Sequence, residues 1–220
     1  MPMPTTKAVT AAGYMTSDCL SEEFSRRRIY ITGEICDALA AEVCCQINHL
    51  AAVSNEDITL WIMSPGGSVS AGLAILDTMK NCGCDIQTVV MGSAASMAAV
   101  IASSGTKGKR FIGTNAGMMI HQALGGFSGQ AADILRTAHH IEKTNRQLYN
   151  ILAQNCGISF NKIAEDCDRD YHLSAEDAIA YGLADHIFLG FGKCFFIIKK
   201  IPLCFFNFAD SYRLLISVSG

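Results

Sequence analysis

The chain has 220 residues, enough for one domain with appendages. Half of them are apolar, which excludes a disordered chain, and 17 basic against 20 acidic residues give a net charge of -3, the wrong sign for a nucleic-acid binder. Charged residues make up only 17%, below the usual quarter, as in chains that hide surface in an oligomer.

Residues 1–19 hold scattered Thr and Ser and two early prolines, and read as a flexible or partner-ordered arm. They contain no apolar run long enough for a secretory signal, so the ten cysteines read as reduced small hydrophobes and the compartment as cytoplasmic. Cys82 and Cys84 form a C-x-C pair and Cys44 and Cys45 are adjacent, but neither set has a second pair at finger-like spacing, which argues against zinc.

Ile29 to Thr32 predicts a strand ending at Gly33, and Asp37 to Ala51 a helix with Leu39, Val43, Ile47 and Leu50 on one face. Ile58 to Met63 is nearly all apolar, as in a strand covered on both faces. Ser64-Pro65-Gly66-Gly67-Ser68 then breaks the chain. A helix follows over Val69 to Lys80, a strand over Ile86 to Met91, a helix-compatible run over Ala94 to Ser103, and short strands at Phe111-Ile112 and Met118 to Ile120. Gly125 to Gly129 is a flexible link into a long helix, Ala131 to about Asn155, whose circumference is largely polar and which suits a subunit contact. Ser174 and Asp177 make a capping-box variant for a last helix ending at Tyr181. Strands alternating with helices predict a parallel α/β architecture. The tail from 188 to 220 is apolar and aromatic. Its longest uninterrupted apolar run, Cys194 to Ile198, is far too short for a membrane span.

Four features carry possible chemistry. Gly66-Gly67 after an apolar strand offers amides to an oxyanion, or only a tight turn. Ser96, in Ala94-Ala95-Ser96-Met97, stands where a hydroxyl can be exposed at a helix start, with the Met97 amide as a donor; Ser93 competes as nucleophile or caps the helix. His121 ends an apolar strand and suits a general base, or is a hydrogen-bonded edge histidine. His139 and His140 read as solvated on the long helix, His172 as lying in a loop near the carboxylate cluster, and His49 as late in the first helix. Asp166, Asp168 and Asp170 alternate in one segment; any of them can orient a histidine, or they form a charged loop around Arg169. The segment lacks the glycine and distal glutamate of a calcium loop.

Taken together, Ser64-Pro65-Gly66-Gly67-Ser68, Ala94-Ala95-Ser96-Met97, Ile120-His121-Gln122, Leu124-Gly125-Gly126, Asp168-Arg169-Asp170 and Tyr181-Gly182-Leu183-Ala184-Asp185 closely resemble the proteolytic subunit of the ATP-dependent Clp protease, a serine peptidase. The resemblance runs from about Ser25 to Ile187. It implies Ser96 as nucleophile, His121 as general base and Asp170 as its orienter, with the Gly67 and Met97 amides as oxyanion hole. Gly66, Ser68, Gly125 and Gly126 would bind substrate, and Arg169 would lie at the contact between rings. The implied fold is a crotonase-like α/β domain with a projecting handle over 123–155. The peptidase domain would span 20–187, between the arm 1–19 and an extension 188–220 that has no counterpart in the family. The implied assembly is two stacked heptamers, pure or mixed with paralogous subunits, fed with unfolded polypeptide by a hexameric AAA+ unfoldase. Gly105 to Lys109 is not a phosphate-binding loop, so ATP use would belong to that partner. No cofactor, metal, nucleic acid or membrane is called for.

Three departures stand out. Ala123 occupies a position where the family usually has proline, Ala98 one where glycine is usual, and the first nineteen residues do not match the family's axial segment. Two other functions fit parts of the pattern. One is a regulatory ring subunit that cleaves poorly. The other is a crotonase-fold enzyme acting on acyl-thioesters, for which a Ser–His–Asp set is unneeded.

Overall fold

A computed structural model of the chain describes residues 5–10, 13–126 and 128–190. Its centre is a seven-stranded sheet built from β3 (Arg28–Ile35), β4 (Ile58–Gly67), β5 (Ile86–Ala95), β6 (Arg110–Ile112), β7 (Gly117–Ile120), β8 (Tyr171–Leu173) and β9 (His186–Ile187). The order β3-β4-β5-β6-β9 is parallel throughout, with β7 parallel to β5 and β8 antiparallel to β7. Helices α2 (Asp37–Val53), α3 (Val69–Asn81) and α4 (Met97–Ser103) connect the first strands. The predicted α/β architecture with a parallel sheet is therefore present.

The core follows from the apolar pattern. Ile29, Ile31, Ile58, Leu60, Ile62, Val89 and Val90 are buried on the strands, and Ala40, Val43, Ile47 and Leu50 line the inner face of α2. Each large side chain buried this way stabilises the fold by about 1.5–3 kcal/mol. Every residue of α4 is buried, which accounts for its run of small apolar residues. The Met97 side chain fills the space a Cβ at Gly72 would occupy, so α4 and α3 meet closely.

Several boundaries differ from the sequence reading. Residues 5–10 and 13–18, read as part of a flexible or partner-ordered arm, pair as antiparallel strands β1 (Thr5–Thr10) and β2 (Gly13–Asp18), consistent with the strand preference of their Thr, Val and Tyr. A short helix α1 (Cys19–Ser25) follows, with the Asp18 carboxylate accepting from the Ser21 amide at 2.8 Å. The first central strand does not stop at Gly33: that glycine, at φ 75°, absorbs a bulge and pairing resumes at Glu34. Ser64 to Gly67 likewise does not end a strand, because Gly66 and Gly67 pair with Glu34 and Ile35. The strand from Ile86 continues past Met91 to Ala95, with the register shifting against β4 around Gly92, φ 68°.

The long helix α5 spans Ala131–Cys156 and ends at Gly157 in the left-handed conformation, φ 72°. It is followed by α6 (Phe160–Asp166), whose last residues belong to a segment read as a charged loop. The predicted capping box opens α7 (Ala175–Tyr181), with Ser174 and Asp177 bonding reciprocally. The described residues up to Phe188 form one compact unit. The apolar run Cys194 to Ile198 lies outside the described residues, as does Phe127. Among the described residues, no helix is long and apolar enough to cross a membrane.

Candidate active site

The sheet builds the site by splitting. The first half of β5 pairs with β6 (Thr88↔Arg110 to Val90↔Ile112), and its second half pairs with β7 (Ser93↔Gly117 to Ala95↔Met119). This brings the end of β5 beside the end of β7, so Ser96, one residue past β5, comes next to His121, one residue past β7. The Ser96 amide donates to the Met119 carbonyl at 2.8 Å and fixes that relation. On the other side of β7, Ile120 pairs with Tyr171 of β8, which places Asp170 alongside His121.

The three side chains form one hydrogen-bonded chain. His121 Nε2 lies 2.9 Å from Ser96 Oγ, and His121 Nδ1 lies 2.8 Å from Asp170 Oδ1. The imidazole is 14% exposed and the carboxylate 61%. Ser96 has φ 55° and ψ -125°, a backbone conformation rare for a residue with a side chain and found where structure around a site enforces it. It ends the strand and starts α4, so its hydroxyl points out of the helix instead of capping it; the N-cap side chain makes no capping bond.

Gly66 and Gly67 run past this turn. Gly66, at φ 95°, lies against Ser96, and Gly67, at φ 147°, against Ile35, where a Cβ would collide with backbone. The Gly66 amide donates to Ser64 Oγ at 3.1 Å and the Ser68 amide to the Ile35 carbonyl at 2.8 Å. Ser68 caps α3, accepting from the Ala71 amide at 3.3 Å. Val69, Met97, Val100, Ile120, Ala123, Leu148 and Leu152 line a small, largely apolar pocket together with Ser96 and His121.

The competing residues go elsewhere. Ser93 sits within β5 and does not cap α4, which starts after Ser96. Asp166 accepts from Lys162 at 2.6 Å and from the Tyr181 hydroxyl at 2.7 Å, away from the triad. With burial acting first, that carboxylate pushes the Tyr181 phenol far above its ordinary value. Asp168 offers its carbonyl to Gln122 Nε2 at 2.8 Å and to Arg169 at 2.9 Å. His139 lies 3.8 Å from Glu142 on α5, His172 pairs with Met119 in β8, and His49 packs on Phe24. Gly125 rests on Ile141 of α5, and both Gly125 and Gly126 are exposed; the described residues from 121 to 130 form no strand. Among the described residues, no group of three His, Cys, Asp or Glu is placed to hold a metal ion.

Two residues near the triad escape a sequence reading. Gln122 clamps the histidine segment to the aspartate segment, its amide donating to the Cys167 carbonyl at 2.7 Å and its side chain to that of Asp168. Asn145 on α5 accepts from the Ala123 amide at 2.6 Å across 22 positions of sequence. Neither carries a local signal that distinguishes it from a surface amide.

A strained serine bonded to a histidine that is bonded to a carboxylate, on an α/β scaffold, defines a serine hydrolase. The chain matches the Clp protease family over residues 12–190. It is 49% identical over 181 residues to the ATP-dependent Clp protease proteolytic subunits of Streptococcus pyogenes serotype M5 (strain Manfredo) and serotype M49 (strain NZ131), covering 81% of this chain and 92% of each relative. The chain belongs to the Clp protease family and is a serine-type endopeptidase.

Proposed function

We propose that the chain is the proteolytic component of an ATP-dependent protease and cuts unfolded polypeptides with Ser96. The observation that carries the residue assignment is the continuous hydrogen bonding from Ser96 Oγ through His121 to Asp170. The Ser96 hydroxyl attacks the peptide carbonyl as His121 Nε2 takes its proton. His121 then protonates the leaving amine, and water hydrolyses the acyl-enzyme by the same route. Asp170 holds the proton on Nδ1 and stabilises the imidazolium.

The oxyanion falls to the amides of Gly67 and Met97. The neighbouring Gly66 and Ser68 amides donate to Ser64 Oγ and the Ile35 carbonyl, and Gly67 lies between them at the turn beside Ser96, which supports its assignment by family resemblance. Met97 opens α4, where backbone N–H groups have no partner within the helix. Gly66 thus supports Ser96, and Ser68 begins α3 as its N-cap; in this reading both serve the substrate site by shaping its backbone instead of reading a side chain. The apolar pocket suits the side chain preceding the cut bond, so apolar residues are preferred there. Gly125 and Gly126 are free of bulk on an exposed segment and would align substrate backbone as an added strand.

In this reading the body, 20–187, is crotonase-like and α5 with 123–130 forms a handle between two stacked heptameric rings, pure or mixed. Arg169, exposed beside Asp168, would serve the contact between rings. The relatives' name brings in ATP, which a hexameric AAA+ unfoldase partner would hydrolyse. The arm 1–19 would meet that partner, the extension 188–220 is an appendage, and the compartment is the cytoplasm.

A fluorophosphonate probe tests the nucleophile. It should label Ser96, as located by peptide mapping, with labelling lost in Ser96→Ala and slowed by orders of magnitude in His121→Ala. Labelling at Ser93 that persists in Ser96→Ala would overturn the assignment.

A further inference from the structure

Among the described residues, a hydrogen bond from the Ala123 amide to Asn145 Oδ1 at 2.6 Å ties the His121 loop to α5 beside the pocket. The donor is backbone, so the acceptor must be the oxygen of the asparagine amide. The bond needs a residue other than proline at 123, since proline would have no N–H to give.

Its place matters more than its strength. Leu148 lies one turn beyond Asn145 on α5 and Leu152 one turn further, and both are buried in the pocket wall. His121 and Ala123 of the loop line the same pocket, together with Ser96, Met97 and Val100. One turn before Asn145, Ile141 meets Gly125 so closely that a Cβ at 125 would be 2.6 Å from its Cδ1. The loop is therefore laid along α5 at two points, Ala123 on Asn145 and Gly125 on Ile141. Only the first is directional, and only the first adjoins the pocket.

We infer that Asn145 is a specificity-determining positioning residue: its bond to Ala123 sets the gap between α5 and the His121 loop, and so how large an apolar side chain the enzyme accepts beside the cut bond. The inference rests on reading Ser96 as the nucleophile and the adjoining pocket as the side-chain site. With the bond broken, the loop is free to move off α5, the pocket loosens, and discrimination between large and small side chains falls. Ser96, His121 and Asp170 keep their own tethers through the Met119 carbonyl, the β7–β8 pairing and Gln122.

The test compares the full-length assembled enzyme with Asn145→Leu, which removes the acceptor, Asn145→Asp, which keeps it, Ala123→Pro, which removes the donor, and the Ala123→Pro/Asn145→Leu pair. Each is assayed for kcat and KM on short fluorogenic peptides with Leu or Ala before the cleaved bond, and for active-site titre with a small fluorophosphonate. A single hydrogen bond predicts that Asn145→Leu and Ala123→Pro each lower kcat/KM for the Leu peptide by about three- to tenfold, mainly through KM, with the Ala peptide little changed. Asn145→Asp should stay near wild type, and the double variant should be no worse than the worse single one. The titre should stay full in all four; no titre in the wild type would overturn the Ser96 reading, whereas a titre lost only in the variants would show that the bond holds the catalytic residues and would overturn the inference. Equal losses on both peptides, an Asn145→Asp as impaired as Asn145→Leu, or additive losses in the double variant would overturn the inference. If Ala123→Pro does not assemble, the Leu and Asp variants decide it alone.

Discussion

Gly66 and Ser96 touch: a Cβ built on Gly66 would lie 2.8 Å from the Ser96 Cβ and 2.7 Å from the Ala95 carbonyl oxygen. Both residues also hold positive φ, 95° and 55°. Gly66→Ala must therefore displace the serine as well as strain its own backbone. Displacements of about 1 Å at a reacting group cost on the order of a hundredfold in rate. Peptide hydrolysis should fall by about that factor while the assembled mass stays unchanged. Wild-type turnover in Gly66→Ala would show that the contact does not position Ser96.

Asp170→Asn tests the orienting role without removing volume. An amide at 170 can donate to His121 Nδ1, which turns the imidazole to the tautomer with a proton facing Ser96. In a triad this change lowers kcat by roughly 10⁴-fold. Asp168→Asn, whose side chain lies outside the hydrogen-bonded chain, should leave kcat within about twofold on the same reading of roles. Comparable losses in both would mean that the acidic segment acts as a charged surface.

Arg110 and Asp185 bear on stability, not chemistry. The guanidinium donates to the carboxylate from Nη2 at 2.6 Å and from Nε at 2.8 Å, and also to the carbonyls of Ser103 and Asn155 at 3.0 Å. Burial alone raises the Asp185 carboxyl, but the Arg110 bonds and charge, with the Gly108 and Arg110 amides, hold it below its ordinary value of 3.8. A depressed carboxyl contributes stability above its unfolded value and loses it as pH falls through the folded one. The contribution is thus complete at neutral pH and disappears below that ordinary value. Asp185→Asn leaves an Arg110 only 2% exposed without its charge partner and should destabilise by about 3 kcal/mol at pH 7. Denaturant unfolding should show the gap to wild type shrinking in acid; a gap that is independent of pH would contradict the pairing.

The cysteines should divide by burial. Burial pushes the Cys156 thiol to about 11 and the Cys167 thiol to about 12, whereas Cys36 and Cys45 are exposed. Thiolate is the reacting form. Iodoacetamide at pH 7.5 should modify Cys36 and Cys45 in the native protein, and Cys156 and Cys167 only after unfolding. Native-state modification of Cys167 at the rate of Cys36 would contradict the packing around α6.

Much of the fold was legible because its periodicities are strong. The apolar strand from Ile58 and the face of Val43, Ile47 and Leu50 announce a covered parallel sheet. What failed was the ends of strands. Ser64 to Gly67 and Met91 to Ala95 have turn-like compositions, yet both remain paired, since glycines with positive φ let a strand bulge without leaving the sheet. The short helices Cys19–Ser25 and Phe160–Asp166 are too brief to show a period.

The site divides the same way. Ser96 and His121 stand out as candidates at strand ends, but the residues alone leave Ser93 as a rival nucleophile, and the family resemblance made that choice too. Choosing Asp170 over Asp166 or Asp168 needs the pairing of Ile120 with Tyr171, a long-range register that no local pattern encodes; only the family resemblance supplied it. Nothing in the residues around Asn145 points to Ala123.

The central claim is that Ser96 performs the cleavage. The measurement is steady-state hydrolysis of a fluorogenic peptide by wild type and Ser96→Ala, with the oligomer mass determined on the same samples. Turnover by wild type and its loss in a Ser96→Ala protein of equal mass is the expected result. Turnover retained by the fully assembled Ser96→Ala protein would contradict it.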